Sequence, residues 1–141
     1  MIQIPLTIFT RKYNQLICIT EGVIKAVEKS GVREGLLTVV SKHTTTGILV
    51  NEALECVESD ILDFLSRQIP EEYPYAHGRM LRSYGSTAGN PTGHLKSMVV
   101  GNHCHFPILN GQVVRGGAQD IYLCEFDGPS ERTVLLVLQE G

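Results

Sequence analysis

Three histidines, His43, His77 and His94, are the residues of this chain best suited to chemistry. Their spacing is too wide and irregular for a zinc finger or an H-E-x-x-H helix. Each falls near the end of an expected element or in a glycine-flanked loop, where ligating and catalytic groups are commonly displayed. Three neutral imidazoles with one open position suit a catalytic zinc or a similar divalent ion. Three separate surface or capping histidines would give the same pattern, and spacing alone does not separate the two readings. The context of His43 says more. Residues 41–52, Ser-Lys-His-Thr-Thr-Thr-Gly-Ile-Leu-Val-Asn-Glu, run from an apolar strand into the histidine and three threonines, then into a strand ending in Asn-Glu. A core strand has no packing reason to finish in so many hydrogen-bonding groups, whereas a strand feeding a pocket does.

Other polar groups stand at element ends. Glu52 and Glu125 are candidate proton carriers, or partners that orient a histidine; Asp127 is equally a turn former. Asn51, Gln119 and Thr44 are candidate substrate contacts, the alternative being local backbone satisfaction. Gly116-Gly117 would let backbone N–H groups approach an anion. In His103-Cys104-His105, strand alternation puts both histidines on one face and the cysteine on the other. That pair lacks a third ligand within its own stretch, and a solvated strand edge is the simpler reading. Neither G-x-x-x-x-G-K-[ST] nor G-x-S-x-G occurs, so neither a P-loop nor a serine nucleophile elbow has support.

The elements that must position these groups follow from periodicity. Ile2, Ile4, Leu6 and Ile8 alternate as in a half-buried strand, and residues 15–19 form a second. Thr20 is placed to cap a helix through Ser30, with Gly31 closing it. Strands are expected over 34–41 and 47–51. A second amphipathic helix spans 55–68, with Val57, Ile61, Leu62 and Leu65 on one face and Pro70 as the stop. Residues 71–93 read as a long loop, and 94–100 as a short helix. Strands follow over 104–108, 112–114, 119–125 and 132–139, with turns at Asn110-Gly111 and Asp127-Gly128-Pro129. This order predicts a single α+β domain, mainly antiparallel sheets packed as a sandwich with two to three helices.

Composition narrows the function classes. The chain has 141 residues, 43% hydrophobic and 19% charged, with a net charge of -3 and no Lys/Arg cluster. Nucleic acid and anionic membranes are therefore disfavoured as partners. The first residues lack a signal peptide's basic and apolar regions, and no apolar run nears the ~20 residues of a membrane span, so a cytoplasmic home is expected. The cysteines at 18, 56, 104 and 124 form no C-x-x-C pair and are expected as free thiols. Cys18, Cys56 and Cys124 lie in patterns that suit burial.

Nearly the whole chain resembles the YjbQ family, also called the secondary thiamine-phosphate synthase family. Residues 41–52 are similar to its S-x-H-T-T-A…N-E block, and Tyr75-Ala76-His77 to its Y-x-H element. Residues 90–101 are similar to its N-x-x-A-H-x-K-x-x-x-x-G helix, and 107–128 to its closing P…G…Q…E-F-D-G segment. The resemblance implies an α+β sandwich subunit in a homotrimer, with His43, His77 and His94 gathered in a pocket as a metal site for zinc or magnesium and no organic cofactor. It also implies a weak thiamine-phosphate synthase reaction, in which a pyrimidine diphosphate is joined to a thiazole phosphate with release of pyrophosphate. A non-catalytic metal- or metabolite-binding protein and a metal-dependent phosphoester hydrolase fit the same residues. Some positions depart from the pattern. The family's G-T-W-Q is Gly116-Gly117-Ala118-Gln119, its alanine before the third histidine is Gly93, and His103-Cys104-His105 replaces a small, serine-bearing stretch. The Asp-Pro-Asp turn is missing before the second helix. Loss of the tryptophan removes a stacking surface for a heteroaromatic ring.

Overall fold

The computed structural model describes residues 1–79 and 89–141. Strand β1, Ile2–Phe9, alternates as its sequence demands: Ile2, Ile4, Leu6 and Ile8 turn inward while Gln3, Pro5, Thr7 and Phe9 are exposed. It pairs antiparallel with β8, Glu131–Glu140, from Ile2 opposite Leu138 to Phe9 opposite Glu131. Strand β3, Glu34–Ser41, lies on the other side of β8 and also pairs with β5, His103–Leu109. The short β6, Gln112–Val113, closes the edge of this five-stranded sheet, ordered β1-β8-β3-β5-β6. Asn110 and Gly111, at φ 53° and 75°, make the β5–β6 turn. Consecutive positive φ values are what the Asn-Gly pair supplies at least cost.

A three-stranded sheet, ordered β2-β7-β4, faces it. Here β7, Asp120–Glu125, runs antiparallel between β2, Gln15–Cys18, and β4, Thr46–Asn51. Between the sheets lies the main core, with Leu37, Val39, Leu136 and Leu138 from one and Ile48, Ile121 and Leu123 from the other. Helix α1, Thr20–Ser30, adds Val23 and Val27 to it. Each such side chain contributes roughly 1.5–3 kcal/mol on burial. A second cluster, Leu65, Tyr122, Cys124 and Phe126, sits against the apolar face of helix α2, Glu55–Gln68. The expected sandwich of antiparallel sheets is therefore the observed fold.

Some local expectations are corrected. Thr20 lies inside α1, whose first turn has no side-chain cap. Its buried hydroxyl instead donates to Asp120 Oδ1 at 2.8 Å and accepts from the Ile121 N–H at 2.8 Å, tying α1 to β7. The stretch expected as loop over 71–93 contains a single turn, α3, Ala76–Arg79, and the start of α4, Pro91–Val100; its residues 80–88 lie outside the described ones. Pro91 opens α4 three residues before the expected start, since its fixed φ suits a first helical turn. The described residues thus hold four helices against the two to three expected. Cys18 and Cys56 are exposed and Cys124 is buried. Cys18 is the last residue of its strand and Cys56 falls on the outer face of α2, so the apolar patterns around them do not enclose their thiols.

Candidate functional site

The exit of β3, the entry of β4, the exit of β7 and the entry of β8 all meet at one end of the sandwich. Thr46 opposes Glu125, and Ser41 opposes Val134. His43 sits in the β3–β4 connection, whose threonines divide the work. Thr45 and Thr46 are buried, while Thr44 is exposed. Thr46 bonds the Ser41 hydroxyl and donates to the His43 carbonyl at 3.3 Å. The Thr45 carbonyl accepts from the Phe126 N–H at 3.1 Å, locking the turn to the end of β7.

This turn fixes the imidazole. His43 Nδ1 accepts the Thr45 backbone N–H at 3.2 Å and lies 2.9 Å from the Thr45 hydroxyl. Partial burial and then the Arg132 guanidinium hold the His43 pKa below its ordinary value, with Glu125 and Asp127 opposing. The neutral ring is therefore favoured at pH 7, and since an N–H occupies Nδ1 its proton belongs on Nε2.

Behind it lies a buried ion pair. Arg132 donates from Nε to Glu125 Oε1 at 2.7 Å and from Nη2 to Oε2 at 2.8 Å. Glu125, with no exposed surface, also takes the Thr10 hydroxyl at 2.8 Å and the Asp127 N–H at 3.0 Å. Burial alone would raise its carboxyl, but Arg132, Thr10 and the Asp127 N–H together hold it below the usual carboxylate range. Glu125 is thus an anchored anion, ill suited to carrying a proton. Arg132 Nη2 reaches Thr45 Oγ1 and the Asp127 carbonyl, both at 3.4 Å.

The same network extends to His77. Asp127 Oδ2 accepts from Asn90 Nδ2 at 2.9 Å, which turns the Asn90 carbonyl oxygen to His77 Nε2 at 2.8 Å. A carboxylate only accepts, so the amide orientation is set and His77 donates from Nε2. His94 is carried by α4, whose Gly93 passes so close to β7 that a Cβ there would lie 2.8 Å from the Phe126 carbonyl oxygen. The His77 and His94 rings meet edge-on with centroids 5.3 Å apart. Two clefts have His94 in their walls. One, about 450 Å³, is lined by His43, Thr44, Ser97, Met98, Gly101 and Asn102 as well as His94. The other, about 390 Å³, is largely apolar and is lined by Tyr75, Ala76, His77, Pro91 and Leu95 with His94.

Glu71 ties down the segment leading to His77. It accepts from the Tyr13 hydroxyl at 3.2 Å and the Thr92 hydroxyl at 2.9 Å, with the buried Lys96 ammonium 3.7 Å away. Burial lowers the Lys96 pKa, and Glu71 opposes this.

Not every candidate joins the site. Asn51 opposes Asp120 at the far end of β4, roughly 17 Å of strand from Thr46. Its Oδ1 accepts the Glu52 N–H at 2.8 Å, and Glu52 is exposed there. Gln119 uses Oε1 to accept the Gly116 N–H at 2.7 Å in a turn beside that same end. Within one chain, Asn51, Glu52 and Gln119 therefore stand away from the histidines, as does Ala118. His103 and His105 form an exposed edge-on pair on β5 with centroids 5.0 Å apart. Their Nδ1 atoms lie 2.9 Å from Asn102 Oδ1 and Thr38 Oγ1, respectively. Sequence reasoning missed Asn90, Thr45 as a ring anchor, and Arg132. Among the described residues no three His, Cys, Asp or Glu side chains are grouped to hold a metal. The chemistry of His43 agrees, because its Nδ1 lone pair is engaged by the Thr45 N–H and its other nitrogen carries the proton. A three-histidine zinc centre does not fit these residues as they stand.

Comparison with known proteins decides the family. The UPF0047 protein YjbQ-like family model matches residues 5–141. The chain belongs to this family. Among its relatives, UPF0047 protein YugU of Bacillus subtilis is 36% identical over 128 residues, covering 91% of this chain and 92% of its own. A UPF0047 protein of Archaeoglobus fulgidus is 35% identical over 131 residues, covering 93% and 96%. The crystal structure of a YbjQ-like protein from Sulfolobus solfataricus superimposes with a TM-score of 0.91 at 28% identity, covering 99% of this chain and 97% of that one. A YjbQ/UPF0047 protein from Clostridium acetobutylicum gives 0.86 at 36% identity, covering 96% and 99%. Among the described residues of the UPF0047 chain, no helix is long and apolar enough to cross a membrane.

Proposed function

We propose that the two clefts on either side of His94 take a phosphorylated small molecule bearing a heteroaromatic ring. The reaction is the transfer implied by the family resemblance, joining a pyrimidine diphosphate to a thiazole phosphate. The observation that carries this reading is that His94 lies in the walls of two clefts, one bearing several polar side chains and the other nearly all apolar. The first offers His43 and Thr44 to phosphate oxygens; the second offers Tyr75, Pro91 and Leu95 to a ring. Tyr75 supplies an aromatic surface from this side, so the missing tryptophan at Ala118 does not by itself rule out a ring. In the reaction the methylene C–O bond to the diphosphate breaks, its electron pair leaves with pyrophosphate, and the thiazole nitrogen forms the new C–N bond. No general base is required, which suits a site whose Glu125 is locked and whose Glu52 lies at the opposite end. Hydrogen bonds to the departing pyrophosphate are the contribution the protein must make. Magnesium held by the substrate's own oxygens would need none of the histidine nitrogens.

A non-catalytic metabolite binder is the second reading, favoured by that same absence of an available carboxylate at the clefts. Assembly as a homotrimer is part of the proposal. It is supported by the uncovered outer face of the five-stranded sheet, where Phe9, Leu36 and Leu109 are exposed, and light scattering tests it. Incubation with both phosphorylated substrates, following pyrophosphate release, separates enzyme from binder: release abolished in His94→Ala supports transfer. Tight binding without release would leave the binder.

A further inference from the structure

Thr45 stands out as a residue that no family motif role explains. It has no exposed surface, yet three of its groups are committed: its carbonyl to Phe126, its N–H to His43 Nδ1, and its hydroxyl between His43 Nδ1 and Arg132. A valine of nearly the same shape would fill the space equally well, so packing alone does not call for the hydroxyl.

We infer that Thr45, backed by Arg132, is a positioning residue that fixes His43 with its proton on Nε2, so that His43 meets the pocket as a hydrogen-bond donor and not as a metal ligand. The backbone N–H can only donate, and Nδ1 must therefore keep its lone pair. Arg132 likewise can only donate and takes one lone pair of Thr45 Oγ1, and with Nδ1 unprotonated the hydroxyl hydrogen is the group left to face it. Both contacts act in the same direction. Because Nδ1 is turned into the protein, the opposite edge of the ring lines the cleft shared with His94. A metal-binding histidine has the reverse arrangement, donating from one nitrogen to an acceptor while its other lone pair faces the ion. At its inner nitrogen His43 instead meets the Thr45 backbone N–H, which can only donate. The arrangement matches a donor waiting for an anionic oxygen, which rests on the phosphorylated-substrate reading but is testable without it.

The test is nitrogen-15 NMR of the histidine side chains in the metal-free full chain, above the pH at which His43 protonates, with His43→Gln to assign its signals. The wild type is expected to show His43 Nδ1 as the unprotonated nitrogen and Nε2 as the protonated one. Thr45→Ser should keep that pattern, and Thr45→Val should shift it toward a mixture. Equimolar zinc should leave both nitrogens unchanged. A wild-type ring protonated on Nδ1, an even mixture of tautomers, or a zinc-bound Nε2 would overturn the inference. Inorganic pyrophosphate is then added: movement of the Nε2–H signal supports the donor role. A fixed Nε2–H tautomer that pyrophosphate leaves unmoved would keep the positioning role while sinking the phosphate reading.

Discussion

Arg132 holds the carboxylate of Glu125 through both of its oxygens, at 2.7 and 2.8 Å, with both side chains buried and Glu125 wholly so. The pair sits where β7 ends and β8 begins, and the Thr45 contact to His43 and the Asn90–Asp127 contact to His77 lead back to it. Breaking such a pair leaves a buried, uncompensated charge. Arg132→Met is therefore expected to destabilise the fold by about 3–5 kcal/mol, read as a lowered midpoint in urea. A loss under about 1 kcal/mol, the scale of an exposed pair, would show that the pair is not enclosed in solution.

Acid should find the same weakness. Arg132, Thr10 and the Asp127 N–H hold the Glu125 carboxyl below the usual range against the cost of its burial. The unfolded chain, with Glu near ~4.3, then takes up the proton more readily than the folded one. The stability from this group is complete above that unfolded value and is lost as pH falls through the lower folded one. Glu125→Gln, already lacking the charge, should show a flatter decline over that acid range. Parallel curves for variant and wild type would contradict the assignment.

Thiol reactivity gives an independent check on the layers. Burial pushes the Cys104 thiol up to about 11, and raises Cys124 further still. Cys18 and Cys56 are exposed. A thiol reagent at neutral pH should modify Cys18 and Cys56 quickly, the half-buried Cys104 slowly, and Cys124 only on unfolding. Rapid native-state modification of Cys124 would place the second core wrongly.

The strands were the legible part of the fold. In residues 2–9 and 131–140 an inward face alternates with an outward one, and period two survives whatever the strand pairs with. Helix ends were less legible, because Thr20 uses its hydroxyl on Asp120, a hundred residues away, rather than on its own helix. At the site, the three histidines stand out by residue type. Of their supports only Glu125 does, as an acid at a strand end; Arg132 looks like an ordinary strand charge, and Asn90 like a loop residue before a proline. Only the antiparallel register brings Glu125 beside Thr46 and the network beneath His43. Strand-end polarity looks the same at either end of a sheet, so the sequence does not show that Asn51 and Gln119 stand at the end away from the histidines of their own chain.

The histidine pair on β5 gives a built-in control. His103 and His105 are exposed and bonded to Asn102 and Thr38, outside the network that orients His43 and His77. Replacing both by alanine should leave pyrophosphate affinity within about twofold, since it removes no donor from the clefts. A loss as large as that expected for His94→Ala would move the ligand to β5.

Equilibrium binding of inorganic pyrophosphate, measured by calorimetry at low salt, tests the central claim most directly. A hydrogen bond to a charged group contributes about 1.5–3 kcal/mol. The account therefore predicts one site per chain, weakened at least about tenfold in His94→Ala and in His43→Ala. No binding to the wild type, or equal binding to all three proteins, would contradict it.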